Sequence, residues 1–517
     1  MYLTQFLHRF QQTRAGKIAL VCGDERRSFG DLLDIAARLG GALKALGVAP
    51  GDRIALLSLN STACVELWLA SWWIGAIICP VNTRWSLPEI AASLEDCTPA
   101  ILFVDEHHAA MVVQLRQQTP FLQCIVHTGQ AAPSGDLSMR ALVAGHAPVV
   151  DGRFGADHIA ALLYTGGTTG RAKGVMLSHQ NLWSSAMSRL ADNAPLDDSV
   201  CLVATPMFHV AALSRALPHL FAGGCCVVVP QFRADLALDL IEREGVTDLG
   251  LVPSMLQMVL DHPAFHPQRL RSVRRLGYGA APSARTLLER VQQLIPWVGL
   301  YQFYGMTESS AVATLSRPGD HRPEDWASGR ATSAGTTSTG CELRVVDEHG
   351  IDVPPGQVGE IVLRGPMVTP GYWMRPEETA QALRAGWLHT GDGGKLDQHG
   401  YLTVVDRLKD MIVTGGENVY SAEVENALAQ HPAVSTCSVI GVPSEVWGEA
   451  VHAVVVLRAG ASADEDGLRQ FCRTLLANYK CPKSVAFSSA LPLTAAGKVA
   501  KNVLREPHWR GLARRVN

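Results

Sequence analysis

The decapeptide Thr165-Gly166-Gly167-Thr168-Thr169-Gly170-Arg171-Ala172-Lys173-Gly174 is the first segment of this sequence whose residue types point to chemistry. It follows directly on the apolar run 159–164, which reads as a strand. Glycine lets a backbone bend sharply and bring its N–H groups close to a ligand. Thr165, Thr168 and Thr169 add hydroxyl donors, and Lys173 adds a positive charge. A polyphosphate needs these groups. No Gly-Lys-Ser/Thr closes the segment, so it is not a Walker A loop, and a Gly/Thr loop after a strand is by itself also an ordinary turn.

Something must position such a loop. Short runs rich in Val, Ile, Leu and Ala recur at 18–22, 54–58, 101–104, 159–164 and 225–229. Helical patterns at 29–46 and 87–95 lie between several of them, and strands alternating with helices imply parallel sheets covered on both faces. Leu3, Phe6, Leu7 and Phe10 fall at helical spacing, so the N-terminus reads as a packed amphipathic helix rather than a signal core. The run 67–81, with Trp68, Trp72 and Trp73, is shorter than the roughly 20 residues of a membrane span. It reads as a buried helix turning into a strand. The Gly-, Ser- and Thr-rich stretch 327–340 reads as a long irregular connection.

At 517 residues the chain exceeds one ordinary core. The charged sequence Asp406-Arg407-Leu408-Lys409-Asp410 breaks the pattern, and about a hundred residues with their own strands and helices follow, enough for a small second domain. The expected division is 1–407 and 408–517. A net charge of -3 gives no basic excess for nucleic acid. The 12 cysteines are scattered without a C-x-x-C pair, which disfavours a zinc site or disulfide framework and favours a reducing, cytoplasmic setting. No transmembrane segment is expected. The basic tail 505–515 reads as a solvated helix end or, alternatively, a peripheral membrane contact.

The 165–174 loop closely resembles the phosphate loop of the adenylate-forming superfamily, which comprises acyl-CoA synthetases, peptide-synthetase adenylation domains and beetle luciferases. Five further motifs follow in that family's order and spacing, and the resemblance covers nearly the whole chain. Gly279-Ala280-Ala281-Pro282 resembles the adenine-side loop, and Tyr304-Gly305-Met306-Thr307-Glu308 the nucleotide and metal motif. Thr390-Gly391-Asp392 resembles the ribose motif. Asp406 to Asp410 followed by Gly415-Gly416-Glu417-Asn418 resembles the hinge and the start of a mobile domain. Pro492-Leu493-Thr494-Ala495-Ala496-Gly497-Lys498 resembles the catalytic-lysine loop.

The resemblance implies an α/β fold, with a large N-terminal domain of sheets and helices and a small mobile α+β C-terminal domain. It implies ATP, Mg²⁺ and coenzyme A as cofactors and a small carboxylic acid as substrate. Thr165, Gly166, Gly167, Thr168, Thr169, Gly170 and Lys173 would hold the phosphates. Glu308 and Thr168 would hold the metal through hard oxygen, and Asp392 and Arg407 the ribose. Lys498 would bridge the carboxylate and the α-phosphate, two anions whose approach needs a cation between them. Lys409 would be the hinge, and Gly415, Gly416 and Trp447 would meet CoA. His209, in Pro206-Met207-Phe208-His209-Val210, resembles the gate between the CoA tunnel and the acyl pocket.

Three positions depart from the family pattern: Gly166 for Ser, Ala172 for Pro, and Ser421 for Pro. The expected activity is acyl-CoA synthesis from a fatty or aromatic acid by way of its acyl adenylate. The alternatives are an adenylation enzyme that loads a carrier protein, a luciferase-type oxygenase and a non-catalytic acyl-adenylate-binding protein. No acidic residue near His209 would hold an amino group, and no carrier module is seen after Asn517. In the family this region lines the acyl pocket, and the small apolar residues Val210-Ala211-Ala212-Leu213 suggest an apolar monocarboxylic acid rather than acetate, an amino acid or a diacid. Arg215 beyond them is expected to face solvent, with a place at the pocket's far end as the alternative.

Overall fold

The computed structural model describes residues 1–122, 124–129, 132, 136–165, 172–192, 197–281, 283–494 and 498–510. Among these residues the chain forms four sheets. One has nine strands, running edge to edge through Thr336–Thr337, Thr314–Ser316, Gly299–Tyr304, Arg275–Gly279, Asp248–Leu251, Val200–Val203, Cys225–Val228, Ile18–Cys22 and Glu25–Ser28. Its middle is parallel and both edges are antiparallel. An eight-stranded sheet runs through Gly371–Tyr372, Lys173–Ser178, Ile159–Thr165, Ile77–Pro80, Arg53–Leu57, Ile101–Val104, Cys124–His127 and Leu137–Ser138.

These two sheets enclose the largest core. Successive strand residues point to opposite faces, and the packing follows that period. Ile54 and Leu56 join the core shared with Leu20, Cys201 and Val203 of the other sheet. Ala55 and Leu57 pack outward against the helix Leu87–Cys97. Likewise Leu202 and Val21 face away, toward the helices Ala234–Glu244, Pro253–Asp261 and Arg285–Leu294. Both faces of both sheets are thus covered, which explains the continuous apolar runs in the sequence.

The tryptophan-rich run is the helix Thr62–Ile74 followed by the strand Ile77–Pro80, and every residue of that helix is buried. A helix apolar all round must be enclosed, and its polar ring atoms need partners. Trp72 Nε1 donates to Ala160 O at 3.0 Å and Trp73 Nε1 to Val149 O at 2.8 Å. At the N-terminus, Phe6, Leu7 and Phe10 of the helix Gln5–Thr13 are buried, with Leu3 just before it. The stretch 327–340 is less irregular than its composition suggests. It holds the 3₁₀ turn Arg330–Thr332 and the edge strand Thr336–Thr337, because the antiparallel edge offers it backbone partners.

The third sheet is antiparallel and contains Glu342–Val346, Gly359–Arg364, Trp387–Leu396, Leu383–Arg384 and Leu402–Arg407. Past the 3₁₀ turn Leu408–Asp410 a fourth sheet, built on the long hairpin Val434–Ser444 and Gly448–Leu457, packs on the helices Ser421–Leu428 and Glu465–Leu475 around its own core. Among the described residues no helix is long and apolar enough to cross a membrane.

Candidate active site

Tyr304 ends the strand Gly299–Tyr304, and its hydroxyl donates to Asp392 Oδ2 at 2.9 Å. The other oxygen, Oδ1, lies 3.1 Å from Arg407 Nε. Asp392 and Arg407 sit opposite one another in the ladder between Trp387–Leu396 and Leu402–Arg407, so the sheet register itself creates the pair. The Thr390 hydroxyl donates to Ile361 O and accepts from the Asp392 N–H, which fixes the turn. Burial pushes the Asp392 carboxyl up, and Arg407, Tyr304 and Lys498 oppose that shift.

Glu308 lies in the 3₁₀ turn Thr307–Ser309, just beyond Tyr304, Gly305 and Met306. It is buried, its Oε1 accepts from Tyr372 OH at 2.9 Å, and its carbonyl accepts from Thr369 N–H at 2.8 Å. Burial raises its carboxyl, while the Tyr372 hydrogen bond and Arg407 pull it back. Tyr372 also links Glu308 to the phosphate-type loop, because the Lys173 ammonium lies 5.4 Å from the Tyr372 ring centroid. Thr165 and Lys173 are paired across the antiparallel strands that flank that loop. Gly166, Gly167, Thr168, Thr169 and Gly170 lie outside the described residues.

Lys498 comes from the far side of the domain junction. Burial and the nearby Arg407 lower its ammonium pKa, while Asp392 and Glu308 hold it up. Its own N–H donates to Thr494 Oγ1 at 3.2 Å. The structure therefore brings Tyr304, Glu308, Asp392, Arg407 and Lys498 into one cluster, although nearly two hundred residues separate the first from the last.

Gly279 ends the strand Arg275–Gly279 so close to its neighbour that a Cβ there would stand 2.2 Å from Phe303 O. Ala280 follows at φ +64°, a left-handed conformation that alanine rarely adopts, and Ala281 comes next. His209 stands at the N-cap of the helix Val210–Ala222, with its ring centroid 4.6 Å from that of Phe208. Gly415 and Gly416 form the exposed turn between Ile412–Thr414 and Glu417–Val419, and the half-exposed Trp447 covers Gly415. This is a separate group on the C-terminal sheet.

Arg215 does not face solvent as its spacing suggested. It is buried, because the helix carrying it lies between sheet and helix and is covered on nearly all sides from Val210 to Phe221. Sequence reasoning also missed Tyr372, whose partner Glu308 is 64 residues away. Only its place in the edge strand Gly371–Tyr372, paired with Lys173–Ser178, brings it there.

The family model described as AMP-binding enzyme matches residues 6–373, and that of the AMP-binding enzyme C-terminal domain matches 423–498. The chain belongs to the AMP-binding enzyme family. Within this adenylate-forming family it is an acid–thiol ligase of the acyl-CoA synthetase class. It is 40% identical over 485 residues to a feruloyl-CoA synthase of an Amycolatopsis species, covering 93% of this chain and 94% of that one. It is 36% identical over 510 residues to an indoleacetate–CoA ligase of Aromatoleum aromaticum, covering 98% of both. Among solved structures, ATP-bound MatB from Rhodopseudomonas palustris superposes with a TM-score of 0.88 at 33% identity, covering 98% of this chain and 99% of that one. Apo MatB, at the same identity and coverage, gives 0.79.

Proposed function

We propose that this ligase works in two half-reactions and that Lys498 serves only the first. The observation that carries the reading is the convergence of Lys498 with Arg407, Asp392 and Glu308 across the junction between residues 1–407 and 408–517. The substrate carboxylate attacks the α-phosphorus of ATP and pyrophosphate leaves. Thr165, Lys173 and the intervening loop hold the leaving group. Gly279, Ala280, Ala281, Tyr304, Gly305, Met306 and Thr307 frame the adenine. Asp392 and Arg407 take the ribose hydroxyls. Lys498 places its charge between the two anions that must meet, where a preorganised donor is most effective. The greater likeness to ATP-bound than to apo MatB supports this as the adenylating arrangement.

A divalent cation fits the donors present: Glu308 is a buried carboxylate, a hard oxygen donor, held at its Oε1 by the Tyr372 hydroxyl. Glu308 and Thr168 would hold Mg²⁺, which when bound neutralises phosphate charge. In the second half-reaction the C-terminal domain turns about Lys409, Lys498 withdraws, and the Gly415–Gly416 and Trp447 face approaches CoA. His209 gates the thiol's path to the acyl carbonyl. The relatives named for feruloyl and indoleacetate substrates support an aromatic carboxylic acid. Joint use of ATP and CoA supports a cytoplasmic setting.

The test is Lys498→Ala, assayed in each half-reaction. Pyrophosphate release should fall ~10²- to 10³-fold, the scale of one lost charge-stabilising donor. Preformed acyl adenylate plus CoA should react near the normal rate. Equal loss in both half-reactions would overturn the assignment.

A further inference from the structure

Arg215 is 9% exposed, and its Nε and Nη2 have no hydrogen-bond partner among the described residues. The side chain lies flat over two facing glycines of adjacent parallel strands. A Cβ at Gly250 would stand 2.8 Å from its Nε, and one at Gly277 3.5 Å from its Nη1. A second guanidinium adjoins it. Arg189 is 7% exposed, stacks 4.4 Å above the Phe303 ring centroid, and donates through Nη1 to the carbonyl of Ser214 at 2.7 Å. Burial first and Arg215 second pull Arg189 down to about 9. The nearby carboxylate of Asp248 is already engaged by Arg275, at 2.5 and 3.0 Å, and by the Thr247 hydroxyl. A buried positive pair of this kind is costly unless an anion joins it.

The pair stands directly behind the nucleotide end of the site. Gly277 is two residues before Gly279 on one strand face, about 7 Å at strand rise. Phe303 immediately precedes Tyr304. Ser185, one helical turn before Arg189, donates to the carbonyl of Ser310 in the loop after Glu308. Arg215 itself projects from the helix that His209 caps. The glycines make the room that the Arg215 guanidinium and the Phe303 ring occupy on the sheet face, and a planar guanidinium matches a carboxylate in two-pronged geometry.

We propose that Arg189 and Arg215 form the far wall of the acyl site and take a second carboxylate of the substrate. The acid this ligase activates is then a dicarboxylic acid, with one carboxylate presented to Lys498 and the other to the arginine pair. This rests on the assignment of the adenylating site given above.

The experiment uses the full chain. Pyrophosphate release with ATP and CoA is measured for the diacids from succinate to sebacate against monoacids of the same length, and for 3-(4-carboxyphenyl)propanoate against 3-phenylpropanoate. At least one diacid should exceed its matched monoacid by about tenfold or more in kcat/KM. Arg215→Met should reverse that preference by raising kcat/KM for the monoacid, and Arg215→Lys should keep part of it. Monoacid preference in the wild type, or a diacid preference that survives Arg215→Met, would overturn the proposal. So would equal loss for all acids in Arg215→Met and Arg215→Lys, the mark of a purely structural arginine. Calorimetric titration of the diacids without nucleotide separates the two levels. If no acid releases pyrophosphate, the ligase assignment fails; diacid binding lost in Arg215→Met would still support the subsite, and no diacid binding would overturn it.

Discussion

Arg407 Nε and Asp392 Oδ1 lie 3.1 Å apart, joined across an antiparallel ladder one turn before the junction with the C-terminal domain. The Asp392 carboxylate is therefore tied directly to the last residue of the strand that leads into the junction. The remaining Asp392 oxygen is held by Tyr304.

Asp392→Asn should raise KM for ATP by roughly ten- to a hundredfold, because a charged hydrogen bond is worth about 1.5–3 kcal/mol. Tyr304→Phe removes a single neutral donor and should cost about fivefold. Steady-state kinetics with ATP varied at saturating acid would show it. An unchanged KM in Asp392→Asn would remove the ribose role.

The pH profile of adenylation should carry the signature of Lys498. Burial, and then Arg407, lower its ammonium below the ordinary lysine value. The protonated form is the active one, so the rate should fall as pH rises through that lowered value, earlier than an exposed lysine would allow. Arg407→Gln removes a neighbouring positive charge and should move this alkaline limb upward. Lys498→Arg stays protonated and should abolish it, at a lower plateau. A limb that ignores both changes belongs to another group.

The hinge should separate the half-reactions. Lys409 lies within the short turn Leu408–Asp410 between the two sheet systems. A proline there fixes φ and resists the dihedral change a hinge needs. Lys409→Pro should keep acyl-adenylate formation and lose thioester formation by about a hundredfold or more. Survival of both activities would show that the domain does not turn at this residue.

Ser421 predicts a cost for restoring the family's usual proline. Its N–H donates to Asp406 Oδ2 at 2.8 Å, and its hydroxyl donates to the same oxygen. Ser421→Pro deletes both donors and should destabilise the chain by about 1–3 kcal/mol, read as a lowered midpoint in thermal unfolding. Ser421→Ala, which keeps the N–H, should lose less. Equal midpoints for all three proteins would mean that Asp406 finds other partners.

Much of this enzyme was determined by local sequence. Strand and helix runs were legible because burial on one or both faces imposes a period of 2 or 3.6 on neighbouring residues. Glu308, Asp392 and Lys498 stand out in the sequence because the short motifs that carry them resemble those of the adenylate-forming family. The tertiary structure alone decided which distant groups meet. Tyr372 reaches Glu308 only through strand pairing at a sheet edge. The environment of Arg215 was likewise beyond helical periodicity. The same spacing serves a solvated face or a buried one, and only the packing of its helix between sheet and helix removed the water. Gly250 and Gly277, 35 and 62 residues further along the chain, supply the bare sheet face on which its charge lies.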